Sequence, residues 1–449
     1  MIELDELSAI ARRVVEQAEP GEQIDVMVGS GRNTQIRVYG GEVESFTSAE
    51  SFAVGIRVIS QARQGFASAG SLDPAVVAET LAEARDNVAF GEVDEYYGLA
   101  EPDGVLASEH DHWDESLVGL DAAPKIATAI ELERRCLDAD PRISGVRTAV
   151  WSDAAGAGAY AASNGINIAQ RAASCSIGAQ PLAVADGETQ IGSAGDAARN
   201  HADLDLDRVI RDAVTRATRL LGATKPPSAR LAIVLEPRLA GTLLGIVANM
   251  MDGEAVLKGR SPFGERVGEQ VASPLLTFVD DPTRKDSIAA ETWDGEGLAC
   301  RANPLIENGV LHPFLQNSYT GRRNGTASTG SAVRGARSLP GVGAQLLIVE
   351  PGTASFEELI AGCDLGLFVN SFAGLHSGVN AVSGDFSVGA DGLMIRNGAL
   401  AEPIREVTIA STIQRMLSDI VAVGGDFEWL PGGDGMASLV IGDVSMSGA

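Results

Sequence analysis

Residues 222–230, GATKPPSAR, separate two parts of the chain that differ in pattern. The adjacent prolines and the small polar residues end the helical pattern before them and oppose a new element, because proline lacks an amide N–H. A β-rich run, RLAIVLEP, follows at 230–237. At 449 residues the chain also exceeds the usual size of a single core. We therefore predict an N-terminal domain over 1–223, a linker over 224–230 and a C-terminal domain over 231–449.

The part before this boundary has the pattern of helix, then sheet, then helix. Residues 3–19 carry apolar side chains at helical spacing, and β-rich runs separated by glycine turns follow them. Gly40-Gly41 is a hairpin signal, and Asp73-Pro74 begins a helix with Asp73 as its N-cap. The remaining predictions are helices ending near 90 and spanning about 123–139 and 204–221, with an antiparallel meander over 146–193.

The part after the boundary is rich in strands. Its predicted helices are the apolar stretch LAGTLLGIVANMMDGEAV at 239–256 and two short segments near 355–361 and 411–421. The stretches LIENGVL at 305–311, DGLMIRNGALAEPIREVTIA at 391–410 and MASLVIGDVSMSG at 436–448 are strand or hairpin material. The predicted fold class is therefore α+β: an N-terminal α/β domain with antiparallel strands and flanking helices, and a C-terminal, mainly antiparallel β domain that is barrel-like.

The charge balance excludes several partners. Sixty-one acidic residues oppose 34 Lys and Arg, for a formal charge of −27, and the acids are scattered along the chain. Such a surface repels phosphate, so we expect neither a nucleic acid nor an anionic membrane as a partner. No run reaches the roughly 18 apolar residues of a membrane span, and the N-terminal segment is acidic where a signal peptide is basic. We expect a soluble, cytoplasmic protein.

Motifs that would mark an independent enzyme are missing from the sequence. There is no HExxH-type motif, no GxSxG followed by a helix and no phosphate-binding loop. His110 and His112 form an HxH in an acidic segment, which we interpret as solvated surface. The cysteines lie far apart without CxxC spacing, which predicts small buried side chains: Cys136, Cys175, Cys300 and Cys363.

Two polar, glycine-rich stretches differ in composition from the rest of the chain. NSYTGRRNGTASTGSAVRG at 317–335 combines a tyrosine, adjacent arginines and many hydroxyls, whereas GVNAVSGDFSVGADG at 378–392 alternates small and polar residues. We predict a strand over 380–387. Strands of small residues can pair with an extended peptide, but a scaffold of capped hairpins gives the same pattern. A third reading is an independent hydrolase that uses Asp385 with Ser383 or His376.

The same stretches, together with FAVGIRVI at 52–59 and SLVIGDVSMSG at 438–448, resemble the TldD/PmbA family and specifically its TldE (PmbA) branch. In the TldD branch a helix carries HExxxH and a C-terminal cysteine adds a zinc ligand. The resemblance places Leu244, Gly245 and Asn249 at the His, Glu and His positions, and the cysteine has no counterpart. It thus implies that this chain binds no metal or other cofactor and is inactive alone.

The resemblance further implies a non-catalytic subunit of a heterodimeric TldD/TldE zinc metalloprotease. A TldD-like subunit would supply the zinc, and unfolded or short peptides would be the substrates, for example in leader removal from modified peptides. An older family label is modulator of DNA gyrase. The alternative is a homodimeric peptide-binding or scaffold protein without protease activity. The candidate substrate- or partner-facing residues are Tyr319, Arg322, Arg323, Asn380, Ser383, Asp385 and Ser387.

Overall fold

The computed structural model describes residues 2–449, and its N-terminal half is built on a seven-stranded antiparallel sheet. The strands are β1 (Gln23–Tyr39), β2 (Glu42–Ser60), β3 (Arg63–Ala69), β4 (Ile143–Ala162), β5 (Asn167–Ala185), β6 (Glu188–Ile191) and β7 (Ala194–Ala198). The helices are α1 (Leu4–Val15), α2 (Pro74–Val88), α3 (Glu115–Val118), α4 (Ala122–Ala139) and α5 (Leu206–Thr218), with a 3-10 turn at His201–Asp203.

The sheet has the order β3-β2-β1-β4-β5-β6, and β7 pairs with another part of β5. The longer helices cover one of its faces, because alternate strand residues such as Val26, Val28 and Trp151 lie in cores with α1, α2, α4 and α5. Met27 and Gly29 alternate with these core residues and therefore belong to the opposite face. We refer to that opposite face as the open face.

Local signals act as the sequence predicts in this half. Gly40 and Gly41 have φ of +65° and +80° and join β1 to β2, which confirms the hairpin. Both of their amides donate to the Glu133 carboxylate of α4 at 2.7 Å, which ties the hairpin to the helix layer. Asp73 accepts from the amide of Ala75 and so caps α2 at its predicted start.

The C-terminal half contains a closed barrel and a second sheet. Its strands are β8 (Ala229–Leu235), β9 (Phe278–Asp280), β10 (Asn303–Glu307), β11 (Val310–Leu311), β12 (Ala332–Val333), β13 (Gly341–Val342), β14 (Leu347–Val349), β15 (Leu365–Ala373), β16 (Asp385–Arg396), β17 (Ala399–Thr412), β18 (Ile420–Val423), β19 (Glu428–Trp429), β20 (Gly435–Met436) and β21 (Leu439–Ser447). The helices are α6 (Pro237–Met250), α7 (Gly253–Leu257), α8 (Ser318–Asn324), α9 (Phe356–Ala361), α10 (Leu375–Gly378) and α11 (Ile413–Ser418).

The barrel has the order β17-β16-β15-β8-β21 and closes where Thr408–Ala410 of β17 pair with Ser445–Ser447 of β21. The pair β15–β8 is parallel, and the other pairs of the ring are antiparallel. The second sheet has the order β11-β10-β9-β14-β20-β19. These features confirm the α+β class and the barrel-like C-terminal part.

The helix α6 is a core element of this half. Its apolar residues, including Leu243 and Val247, join residues of both sheets in one large buried cluster. The predicted single helix over 239–256 is wrong in one respect, because α6 ends at Met250 and α7 begins at Gly253. Asp252 causes the new start, since its carboxylate accepts from the amide of Glu254 as an N-cap.

The stretch predicted as a linker has contacts at both ends. Thr224 forms a parallel bridge with Ile404 of the barrel, and β8 already begins at Ala229. The assignment of 1–223, 224–230 and 231–449 as domain, linker and domain stays a prediction. Within residues 2–449, no helix combines the length and apolar character that a bilayer crossing requires.

Candidate functional site

The three positions that the resemblance relates to a zinc motif lie on α6. Leu244 is fully buried in the core, Gly245 has no side chain, and Asn249 is exposed. Residues five apart on a helix point about 140° away from each other, which agrees with the opposite burial of positions 244 and 249. Across residues 2–449, no three His, Cys, Asp or Glu side chains are grouped to hold a metal ion. The residues present on α6 therefore do not fit a zinc ion.

The candidates Tyr319, Arg322 and Arg323 lie on α8, a helix that was not predicted from the sequence. A capping box forms this helix, because Asn317 and Thr320 each bond the other's backbone. Arg322 donates to the carbonyls of Tyr96, Gly98 and Leu99 at 2.7, 2.9 and 3.1 Å. The half-buried Arg322 thus holds a segment of the N-terminal half.

The other two α8 candidates contact the same segment through Asp94. The Tyr319 hydroxyl donates to the Asp94 carboxylate at 2.8 Å, and Arg323 donates to that carboxylate at 3.1 Å. Arg323 remains exposed. A substrate- or partner-facing role for these three residues stays a prediction, and their observed contacts join the two halves of the chain.

The region 380–387 is not one strand, and that interpretation is corrected. Asn380 caps a turn by accepting from the amides of Val382 and Ser383, and Gly384 has a φ of +81°. The strand β16 begins only at Asp385. A turn forms here because the asparagine side chain replaces a backbone acceptor and glycine tolerates positive φ.

The candidates Asn380, Ser383, Asp385 and Ser387 are all exposed. The Ser383 hydroxyl donates to Asp385 at 2.6 Å, but neither side chain is hydrogen-bonded to His376 within residues 2–449. A serine without a basic partner is a weak nucleophile, so the geometry gives no support to an independent hydrolase. Their role in contacting a partner or a substrate stays a prediction.

A cleft of about 580 Å³ lies between the open face and loops of the C-terminal half. A second cavity of about 410 Å³ adjoins it, since Ala154, Ser174 and Ile288 line both. The register of the sheet puts small residues side by side here. Ala53, Gly29 and Gly158 form one row, which Gln170 ends on the fourth strand, and Ser51, Gly31, Gly156 and Ala172 form the next. The part of the cleft wall that the sheet forms here therefore consists mainly of backbone and small side chains.

A buried charge cluster lies at one end of this cleft. Asp25 of β1 accepts from Arg57 of β2 at 2.9 Å and from Arg334 of the C-terminal half at 2.6 Å. Burial opposes the ionisation of Asp25, but Arg334 and Arg57 more than offset it, so its pKa lies below the ordinary value. Glu296 lies 3.9 Å from Arg57 and accepts from Ser318. This cluster fixes the C-terminal half against the sheet.

Asp294 borders the same cleft, but it has no cation as a hydrogen-bond partner. Burial raises its pKa to about 7, and the amides that it accepts from, such as Ala332 at 3.2 Å, only partly compensate. Asp25, Arg57 and Asp294 are not among the residues that the sequence predicted for a site. A usable signal existed, because Asp25 and Arg57 each interrupt an apolar strand run and are cross-strand partners in β1 and β2.

The histidine interpretation is wrong for His112. Its ring is buried, with Nε2 3.5 Å from the Thr292 hydroxyl, and burial lowers its pKa to about 4. The C-terminal half covers this part of the acidic segment, which is a contact that the local sequence does not encode. The cysteine prediction is confirmed, since all four thiols are free and buried.

Comparison with known proteins identifies the class to which this fold belongs. Profiles of the PmbA/TldA metallopeptidase match domain 1 over residues 24–88, the central domain over 115–221 and the C-terminal domain over 228–448. The chain is a member of the PmbA/TldD family, as the sequence resemblance indicated.

Relatives match along almost the whole chain. The metalloprotease PmbA of Escherichia coli O157:H7 is 27% identical over 428 residues, which cover 95% of this chain and 92% of the relative. A metalloprotease of Methanocaldococcus jannaschii is 26% identical and covers 95% of both chains. Both of these relatives are named metalloproteases.

Solved structures have the same fold. A Thermotoga maritima protein that bears the name of a modulator of a DNA gyrase superposes with a TM-score of 0.87, at 25% identity and 99% coverage of both chains. TldE from Thermococcus kodakarensis superposes with a TM-score of 0.88, at 22% identity, and covers 98% of this chain and 99% of that one.

Proposed function

We propose that this chain is the non-catalytic, TldE-like subunit of a two-chain zinc metallopeptidase. The observation that carries the proposal is the set of residues that α6 has at three positions. A buried leucine, a glycine and an exposed asparagine occupy the positions where the resemblance expects His, Glu and His. Hydrolysis by zinc needs at least three protein ligands and a group that accepts the proton of the bound water. This helix offers none of them.

The cleft supports a role for this subunit in selecting and binding the peptide substrate. A wall of backbone and small side chains suits an extended chain and excludes a folded domain, so access alone would select unfolded or short peptides. In this account a TldD-like partner holds zinc and cuts, and this subunit completes the enclosure and contacts the peptide. Removal of leader segments from modified peptides is a reaction of this type.

Reconstitution tests the proposal. The purified chain is mixed with a relative that carries HExxxH, and cleavage of fluorescein-labelled casein is followed with and without EDTA. We expect cleavage only in the mixture, with loss on EDTA addition and with loss when the glutamate of the partner's motif is changed to glutamine. EDTA-resistant cleavage by this chain alone would refute the proposal.

Sedimentation of the same samples distinguishes the alternative, a homodimeric scaffold. A heterodimer should form at the expense of any self-associated species. A homodimer that persists with the partner in excess, without cleavage in the mixture, would favour the scaffold.

A further inference from the structure

We propose that the cleft on the open face is a binding site for an extended peptide that carries an acidic side chain, with Arg199 as the residue that receives the carboxylate. The source of such a peptide rests on the proposed function. Three features of this chain support the site itself: glycines that the fold does not require, buried donors without partners, and an arginine without a direct ion-pair partner.

The glycines of the cleft are not needed for packing within the chain. A Cβ built on Gly29, Gly31, Gly156 or Gly158 would meet its nearest atom at 3.4 to 3.6 Å, which is ordinary contact, and none has positive φ. By contrast, a Cβ on Gly55 of the same sheet would lie 2.0 Å from the Ala336 carbonyl oxygen. Glycine weakens a strand interior, and one of its uses is to let another backbone approach closely. No atom of this chain fills the space beside the four glycines of the cleft, so we infer that the backbone of a ligand occupies it.

Two buried donors at the cleft have no acceptor. The Arg334 side chain is fully buried; its Nη1 and Nε donate to Asp25 and to the Ser338 carbonyl, but its Nη2 has no partner within residues 2–449. Tyr160 is 3% exposed, and its hydroxyl is likewise unpaired. Both residues line the cleft. Leaving such donors unpaired costs free energy. Both atoms are buried, so carbonyl oxygens of a bound peptide would supply the acceptors once these side chains turn toward the cleft.

The charge of the cleft defines which peptide would bind. Its lining contains three arginines, Arg171, Arg199 and Arg334, and one acid, Asp294, whereas the whole chain carries a formal charge of −27. Arg334 is paired with Asp25, and Arg171 stacks on Trp113 with Glu115 at 3.5 Å.

Arg199 differs from these two because it has no ion-pair partner. Its Nη2 donates only to the carbonyls of Ser287 and Ile288, at 3.1 and 3.0 Å, and no carboxylate of residues 2–449 lies within 4.0 Å of it. Glu291 and Asp111 act on this half-buried guanidinium only from beyond ion-pair distance, so a carboxylate that arrives with the ligand would be its first direct ion-pair partner.

Binding to the isolated full-length chain tests this site. The probe is a fluorescein-labelled nine-residue peptide of alternating alanine and serine with a central glutamate, and the matched probe has glutamine at that position. Fluorescence anisotropy should show binding of both, with the glutamate peptide about tenfold tighter, as one charge-assisted hydrogen bond predicts.

Two pairs of variants separate the parts of the proposal. Gly156→Val fills the cleft and should weaken both peptides at least about tenfold, whereas Gly145→Val makes the same change in β4 outside the cleft and should leave binding unchanged. Arg199→Gln should remove the preference for glutamate while the glutamine peptide still binds, and Arg199→Lys should retain part of that preference. Circular dichroism confirms that each variant is folded.

Several results would overturn the inference: no binding by the wild-type chain, equal effects of Gly156→Val and Gly145→Val, or an unchanged glutamate preference in Arg199→Gln. If Gly156→Val still binds peptide but no longer forms the heterodimer in the sedimentation experiment, the cleft is a subunit interface instead. Because no partner is present in the binding assay, failure of reconstituted cleavage would refute the proposed function without affecting this result.

Discussion

At the scale of the residue, the glycines of the sheet divide into two kinds that mutation distinguishes. Gly156→Ala places a methyl group 3.6 Å from the Ser30 carbonyl oxygen, so we expect the free energy of unfolding to rise by about 0.5–1 kcal/mol through reduced chain entropy. Gly55→Ala drives a methyl group into Ala336 and should cost about 2 kcal/mol or more. Urea denaturation measures both, and equal losses of stability would contradict the distinction.

Asp280 of β9 predicts a pH dependence of stability. One of its carboxylate oxygens accepts from the amides of Gln345 and Leu346 at 2.8 Å, the other has no partner, and burial raises its pKa to about 7. The folded state therefore keeps a proton that the unfolded state releases near pH 4. The resulting stabilisation is present at low pH and is lost as the pH rises from about 4 to 7.

Asp280→Asn tests this pH dependence directly. The variant cannot ionise, so it should flatten the loss of stability between pH 5 and pH 8, by an amount on the order of a few kcal/mol at most. The buried Asp294, whose pKa is also about 7, stays in place and should keep part of the dependence. Urea midpoints at the two pH values measure the effect, and an unchanged slope would contradict it.

The sequence predicts single residues well where the cause is local, as for the buried cysteines and for the Asp73 N-cap. It does not predict pairs formed across the chain. Arg334 is bonded to Asp25, 309 positions away, and no periodicity connects them. The candidates on α8 and near β16 were chosen for their polarity. Polarity alone cannot distinguish a side chain that binds a ligand from one that forms hydrogen bonds within its own chain.

At the scale of the element, α8 is tied to the N-terminal half mainly by Arg322. Arg322→Ala removes three hydrogen bonds to carbonyls of residues 96, 98 and 99, and we expect a loss of about 2–4 kcal/mol. Hydrogen exchange of the 94–99 segment should accelerate as well. Arg323→Ala is the matched control. Because Arg323 is exposed, its loss should lower the stability much less than the loss of Arg322. Similar effects of the two variants would argue against this anchoring role.

Elements with strong local signals were predictable, and short ones were not. The start of α2 follows from Asp73 and Pro74. The helix α8 escaped prediction because seven residues with an internal glycine show no amphipathic period, although the capping pair Asn317 and Thr320 was visible in the sequence. The turn at Asn380–Gly384 was likewise signalled by its two end residues and was mistaken for the start of a strand.

At the scale of the whole molecule, the class of fold follows from the patterns, but the assembly of the two halves does not. Strand β8 pairs with β15 and β21, and β21 lies more than 200 positions further along the chain. Local propensity carries no information on such pairings. The cleft exists only because the C-terminal loops cover one part of the open face and leave another part uncovered, so its lining could not be read from the sequence.

The most direct test of the central claim is the zinc content of the purified full-length chain, measured by mass spectrometry after dialysis against buffer with micromolar zinc. Because Leu244, Gly245 and Asn249 supply no ligands, we expect far less than one zinc per chain and about one per heterodimer once the HExxxH-bearing partner is added. One tightly held zinc per isolated chain, lost when residues of α6 are changed, would contradict the account.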